Sequence, residues 1–290
     1  MSEAATPGAL KPPVLVLGAT SLIGRFAMPR LAAAGIDAVG LSRTAPDGPE
    51  WVQADLSAAD LEQKLPRAPT VLSLSPIWHL PQALPALKDK GMQRLVAFSS
   101  TSVFTKATSP DPYERDVVRR LADGEAAVRA FCEENGVAWT ILRPTLIYAE
   151  GQDQNVTRLA GLIRRFGVLP LYGAGEGLRQ PVHADDLAGA ALAAAASPEA
   201  QGRAYDLPGG EILTYRKMAE RVFEGLGKRP VILPAPEWLW RLGFVLARPL
   251  LPGATAQMGA RMKENLTFDS GPAKRSFGWK PRVFRPNFKT

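Results

Sequence analysis

A glycine turn set directly behind an apolar strand is the first feature of this 290-residue sequence with chemical content. Val14-Leu-Val-Leu17 runs straight into Gly18-Ala-Thr-Ser-Leu-Ile-Gly24, and helical spacing follows. That order lets backbone N–H groups and the positive end of a helix face a pyrophosphate. Gly18 permits the tight turn, and Gly24 lets helix and strand approach closely. Gly18, Thr20, Ser21, Leu22, Ile23 and Gly24 are accordingly assigned to a dinucleotide. The next apolar run, residues 38–41, ends in Ser42-Arg43. A carboxylate at such a strand end accepts the ribose hydroxyls of NAD, whereas a hydroxyl and a guanidinium suit the 2′-phosphate of NADP. NADP is the preferred cofactor on this reading and NAD the alternative. The competing reading of Arg43 is a solvated loop residue.

Other chemistries have little to work with. One cysteine, Cys132, excludes an intrachain disulfide, and two histidines, His79 and His183, cannot build a His/Cys metal cluster. The assigned metal site is none. The formal net charge is +7, and residues 261–290 hold eight Lys or Arg against two carboxylates, interleaved with Phe277, Trp279, Phe284 and Phe288. This resembles a strand-stacking surface, yet the same aromatics can anchor a terminal segment, and no nucleic-acid partner is expected. Residues 238–251 are apolar but broken by Arg241 and Arg248 and bounded by Pro236 and Pro252, so no membrane span is expected. The opening residues show no basic segment leading into a long apolar one, which predicts a cytoplasmic protein.

The elements that must position the glycine turn alternate. Strand-length apolar runs at 14–17, 38–41, 70–74, 94–98 and 137–142 are separated by helical spacing at 22–34, 57–65, 80–90 and 113–135. Gly35 and Gly136 stand where helix C-termini need a left-handed residue. The pattern predicts an α/β chain with a Rossmann-type doubly wound parallel sheet and a smaller C-terminal substrate domain. Residues 1–149 form the expected dinucleotide-binding core. Residues 150–290 form a mixed region that completes the core and builds the small domain. There Asp185 or Asp186 is expected to cap an Ala-rich helix, and Thr214 to cap the one ending near Leu226.

Seven motifs in order resemble the extended short-chain dehydrogenase/reductases of the NAD-dependent epimerase/dehydratase family. The glycine loop matches, with Ser21 in place of the usual middle glycine. Ala54-Asp-Leu56 resembles the adenine-holding segment, and Leu72-Ser-Leu-Ser75 the fourth strand as it passes the cofactor. Phe98-Ser-Ser-Thr-Ser-Val-Phe104 is similar to the Ser-Ser-x-x-Val-Tyr strand end, and Leu142-Arg-Pro-Thr-Leu-Ile-Tyr148 to the Arg-Pro motif. Arg179-Gln-Pro-Val-His-Ala-Asp-Asp186 and Ala273-Lys-Arg-Ser-Phe-Gly-Trp-Lys-Pro-Arg282 match the two later segments. The resemblance implies cofactor contacts at Asp55, Leu56, Ser73, Ser75, Ser99 and Pro144. It implies substrate contacts at Thr101, Tyr148 and Arg179, and a small-molecule substrate. Family members often pair through the long helix, so a homodimer is expected, although Arg115, Arg119 and Arg129 interrupt an apolar seam there.

The family's redox unit is a tyrosine and a lysine four residues apart on that helix, aided by a Ser or Thr at the preceding strand end. Ser100, three residues before Val103, matches the last. Val117 and Leu121 stand where the pair belongs, and no Tyr-x-x-x-Lys occurs in the sequence. Tyr113 is the nearest phenol, with Arg119 and Arg120 as nearby cations, although an arginine cannot imitate a lysine of tunable pKa. The assigned catalytic residues are therefore Ser100 and Tyr113. Two functions follow. One is an NAD(P)-binding oxidoreductase or epimerase-like protein acting on a small carbonyl, hydroxyl or nucleotide-sugar ligand. The other is a non-catalytic NAD(P)-binding sensor or scaffold.

Overall fold

The computed structural model describes residues 10–236 and 261–288. The apolar stretch 238–251 lies outside the described residues. The chain divides into two compact units, each assembled from separated stretches.

The first unit comprises Met1–Thr145, Ala184–Leu207 and Asp269–Lys280. Its centre is a seven-stranded parallel sheet of β1 (Val14–Leu17), β2 (Ala38–Ser42), β3 (Trp51–Gln53), β4 (Thr70–Ser73), β5 (Arg94–Phe98), β6 (Ala138–Pro144) and β11 (Arg203–Leu207). The order across the sheet is β11-β6-β5-β4-β1-β2-β3. Every residue of β1, β4 and β5 is buried, as strands covered on both faces require. Winding reverses between β1 and β4, where Leu17 stands opposite both Leu41 and Ser73. Open α/β sheets bind ligands at the carboxyl ends of strands flanking such a reversal.

Helices cover the sheet: α1 (Gly24–Ala33), α2 (Leu61–Lys64), α3 (Leu84–Asp89), α4 (Ser102–Thr105), α5 (Pro112–Glu134) and α7 (Ala184–Ala196). Asp111 caps α5 by accepting from Tyr113 N at 2.9 Å. Arg94 on β5 is buried without a carboxylate partner among the described residues. All five of its N–H groups are nonetheless used, on the carbonyls of Leu95, Ala138, Ala194 and Ala195 and the hydroxyl of Thr140. Ala194 and Ala195 are in the last turn of α7, so the guanidinium meets the negative end of that helix. Burial pulls its pKa down to about 10.

The second unit comprises Leu146–His183, Pro208–Phe268 and Pro281–Thr290. It carries the short strands β7 (Ile147–Tyr148), β8 (Leu169–Tyr172), β9 (Leu178–Arg179), β10 (Val182–His183), β12 (Leu213–Thr214) and β13 (Ile232–Ala235), paired two by two. Two helices, α6 (Val156–Phe166) and α8 (Tyr215–Gly225), pack on them. Thr214 caps α8, its hydroxyl accepting from Lys217 N at 3.0 Å, as the sequence predicts. The terminal stretch is strapped down in this unit. Glu211, paired with Arg221, accepts from Phe284 N at 2.7 Å, while Arg221 donates to Phe284 O at 3.0 Å. Phe284 and Phe288 are buried here, and Trp279 is buried in the first unit beside α9 (Gly271–Phe277), so these tail aromatics are anchors.

Several expectations shift. The region after residue 149 that is expected to complete the core does so in two stretches: the chain leaves the first unit after Thr145 and returns twice, bringing α7, β11 and α9. The helix expected over 80–90 opens as 3-10 turns at Ile77–His79 and Pro81–Ala83 before α3, because Pro76, Pro81 and Pro85 lack the N–H groups a longer helix needs. The helix expected over 57–65 shortens to α2. Asp185 and Asp186 fall within the first turn of α7, where carboxylates favour the helix dipole, and Asp185 pairs with Arg30 at 2.6 Å.

Candidate functional site

The carboxyl ends of β1, β4 and β5 in the first unit bring together most of the residues assigned to a cofactor. Gly18 has φ +72°, and a Cβ there would lie 3.0 Å from Ser75 N. At Gly24 a Cβ would lie 2.3 Å from Ala19 O, so only glycine lets α1 start this close to the turn. Ser21, in the middle position, turns its hydroxyl to accept from Gly24 N at 3.2 Å. It thereby caps the first turn of α1, which otherwise has no side-chain cap. Ile23 is buried, and Thr20 and Leu22 are half-buried.

At the end of β2 the Thr20 and Ser42 hydroxyls lie 2.5 Å apart, and Ser42 Oγ also accepts from Thr44 N at 3.3 Å. Ser42 is thus committed locally, while the Arg43 side chain is exposed. Asp55 forms a turn in which its carboxylate accepts from Ser57 N at 2.9 Å and Ser57 Oγ at 2.7 Å. Those bonds hold its pKa below the ordinary value, and the charges of Arg43 and His79 add to the effect. Leu56 packs half-buried on the sheet core.

Three hydroxyls here lack partners. Ser73, Ser75 and Ser99 each bury their Oγ with no hydrogen bond among the described residues. An unmet buried polar group costs about 1–3 kcal/mol. Three of them at the ends of adjacent strands are a local debt that a polar ligand is suited to settle.

The next residues form a tight corner. Ser99 N donates to Leu142 O at 2.8 Å, and Thr101 donates through both N and Oγ1 to Pro144 O at 3.1 Å. Ser100 Oγ accepts from Ser102 N at 3.1 Å and so caps α4. Tyr113 stands in the first turn of α5 with its side chain 73% exposed. Val117 and Leu121, where the family's pair would stand, pack on the sheet core, and Leu121 is buried. Arg119 and Arg120 both pair with Asp116.

Tyr148 and Arg179 belong to the second unit. Tyr148 is buried, edge-on to His183 and to Phe284, with ring centroids 5.0 and 4.9 Å away. Arg179 is also buried. It donates to the carbonyls of Leu178 and Glu264 at 2.7 Å each and to that of Arg261, a structural tie to the 261–264 segment. Burial lowers its pKa. Among the described residues no group of three or more His, Cys, Asp or Glu is placed to hold a metal ion, and no helix is long and apolar enough to cross a membrane.

Sequence reasoning did not single out Arg94, nor a cluster of buried Glu125 with half-buried Arg143 and Asp206 on α5, β6 and β11. The Arg-Pro pair at 143–144 was the one available signal for the cluster. Its partners are brought in by the fold.

A model of the NAD dependent epimerase/dehydratase family matches residues 81–207. The chain is 30% identical to a 2-alkyl-3-oxoalkanoate reductase of Stenotrophomonas maltophilia over 68% of this chain and 67% of that protein. It is 31% identical to a (4-alkanoyl-5-oxo-2,5-dihydrofuran-3-yl)methyl phosphate reductase of Streptomyces griseus over 74% of each. A match to the uncharacterized protein y4nG of Sinorhizobium fredii, 29% identical over 66% of this chain, spans only half of that protein's length. Among solved structures, MoeE5 in complex with UDP-glucuronic acid and NAD superposes with a TM-score of 0.73 at 22% identity, covering 96% of this chain and 97% of that one.

Proposed function

This chain belongs to the NAD-dependent epimerase/dehydratase family, and we propose that it binds a nicotinamide dinucleotide at the β1–α1 turn and reduces or oxidises a small carbonyl or hydroxyl compound. The observation that carries this reading is the set of unpartnered hydroxyls of Ser73, Ser75 and Ser99 beside a turn that only glycine can make. The residues present fit such a group. Amides of residues 18–24 and the start of α1 would hold the pyrophosphate, Asp55 and Leu56 the adenine, and the three serines the polar edges of the ribose and nicotinamide, with Pro144 alongside. Arg43, exposed beside Ser42 at the end of β2, favours the 2′-phosphate of NADP over NAD. NAD remains the cofactor named with MoeE5.

When bound, the nicotinamide supplies hydride transfer. Ser100 would orient the reacting oxygen, and Thr101 would line the same corner. The relatives named as reductases of oxo compounds support a small carbonyl substrate, and nucleotide sugars are the second class, after the sugar nucleotide named with MoeE5. Lacking a tyrosine–lysine pair forfeits acid/base help of roughly 10²–10⁴-fold, while positioning retains part of the rate.

A second reading, a dinucleotide-binding sensor or scaffold without turnover, is favoured by one observation: Val117 and Leu121 are committed to packing. The two separate in one experiment. Purified protein is titrated with NADPH and NADH by nicotinamide fluorescence, then mixed with pooled carbonyl compounds and nucleotide sugars while NADPH oxidation is followed. Turnover in any pool supports the reductase. Saturable binding without turnover supports the sensor, and NADH binding more tightly than NADPH removes the role given to Arg43.

A further inference from the structure

Two carboxylates share one guanidinium at the edge of the sheet formed by β6 and β11. Arg143 stands directly opposite Asp206 in the strand register. Glu125 of α5, 4% exposed, holds Arg143 with both oxygens, Nε donating to Oε1 at 2.8 Å and Nη2 to Oε2. Asp206 receives less. Its Oδ1 is 3.9 Å from Arg143 Nη1, beyond hydrogen-bond length, and is buried with no hydrogen-bond partner among the described residues. The same guanidinium lies over the ring of Phe104, 4.9 Å from its centroid. Phe104 belongs to α4, the single turn capped by Ser100 and begun at Thr101.

Among the described residues this corner sets two carboxylates, Glu125 and Asp206, against the single guanidinium of Arg143. A buried carboxylate oxygen without a donor is costly when ionised and far less so when the group is protonated. The bidentate bond shows that Glu125 has taken the cation. We propose that Glu125 and Asp206 compete for Arg143, that Asp206 carries a proton while Glu125 holds the guanidinium, and that loss of this proton draws Arg143 off Phe104 and loosens the turn carrying Ser100 and Thr101. Arg143 is then a positioning residue under proton control. The charged groups that reach Asp206 are Arg143 from β6, Glu125 from α5 and Asp269 just before α9. Burial is the largest influence and raises its pKa. Arg143 opposes that rise, and the two carboxylates reinforce it.

The sign follows. A carboxyl whose folded pKa is raised binds more protons folded than unfolded, so its contribution to stability is greatest below the unfolded value and declines as pH climbs to the folded one.

The test uses full-length protein without coenzyme, so its outcome does not depend on the cofactor reading. Side-chain carboxyl NMR follows Asp206 from about pH 4 to about pH 8, across the ordinary carboxylate range. Hydrogen exchange at residues 102–105, corrected for intrinsic rates, follows α4. The expected result is an Asp206 titration above the ordinary range, with exchange in α4 rising about fivefold or more as it ionises. Asp206→Asn should remove that rise, and Glu125→Gln, by leaving one carboxylate for one guanidinium, should move the Asp206 titration downward. Titration of Asp206 at or below the ordinary value, or an unchanged pH response of α4 in Asp206→Asn, overturns the proposal. If Glu125→Gln does not fold, those two results decide.

Discussion

Gly18 and Gly35 share a left-handed backbone, with φ +72° and +65°, but not a neighbourhood. A Cβ at Gly18 meets Ser75, whereas one at Gly35 meets nothing within 4 Å among the described residues. Gly35→Ala should therefore cost only backbone strain, about 1–3 kcal/mol of unfolding free energy measured in urea, and leave coenzyme affinity intact. Gly18→Ala should show that loss and abolish coenzyme binding as well. At Arg43, Arg43→Ala should weaken NADPH by about tenfold, equivalent to about 1.4 kcal/mol, and leave NADH unchanged in the same fluorescence titration. An equal loss for both coenzymes would return Arg43 to the solvated loop. Much at this scale was legible. The glycine spacing and the Ser42-Arg43 strand end stand in the sequence as a local pattern. The 2.5 Å contact of Thr20 with Ser42 and the unmet hydroxyls at Ser73, Ser75 and Ser99 could not be read there, because satisfaction of a hydroxyl depends on neighbours from other strands.

Strands announced themselves where they were buried on both faces and of ordinary length. β1 and β5 match their expected limits because Val14–Leu17 and Arg94–Phe98 are continuous buried runs. β3 has three residues behind a Pro/Asp/Gly-rich loop, and β11, Arg-Ala-Tyr-Asp-Leu, carries two charges, so neither shows a strand period. Arg94 reads as an ordinary polar residue at a strand start, yet it joins β5 and β6 to the end of α7. Arg94→Met should leave those carbonyls unmet and lower stability by at least about 2 kcal/mol in urea unfolding. Arg94→Lys, with three donors in place of five, should recover only part of it. A variant as stable as the parent would show that α7 is held by packing alone.

Each unit of the whole molecule is discontinuous, and this is what the sequence hid most completely. Periodicity reports local conformation: the region after residue 149 is expected to complete the core, but nothing in the composition of residues 184–207 or 269–280 marks those two stretches as the ones that return to the first unit. The basic, aromatic tail shows the same limit, since its residues suit stacking and anchoring alike. Burial of Phe284 and Phe288 in the second unit, each worth about 1.5–3 kcal/mol, decides for anchoring. Removing residues 283–290 should lower the thermal midpoint and leave heparin binding as it was. A truncated protein of unchanged stability that no longer binds heparin would assign the tail to polyanions.

The most direct measurement is a backbone NMR titration of the full-length protein with NADPH, followed at the amides of residues 18–24. Saturable shifts centred on those amides, with matching changes at Ser73, Ser75 and Ser99, are expected if the turn grips the pyrophosphate. Amides that stay in place while NADPH saturates elsewhere, or no binding of either coenzyme, would contradict it.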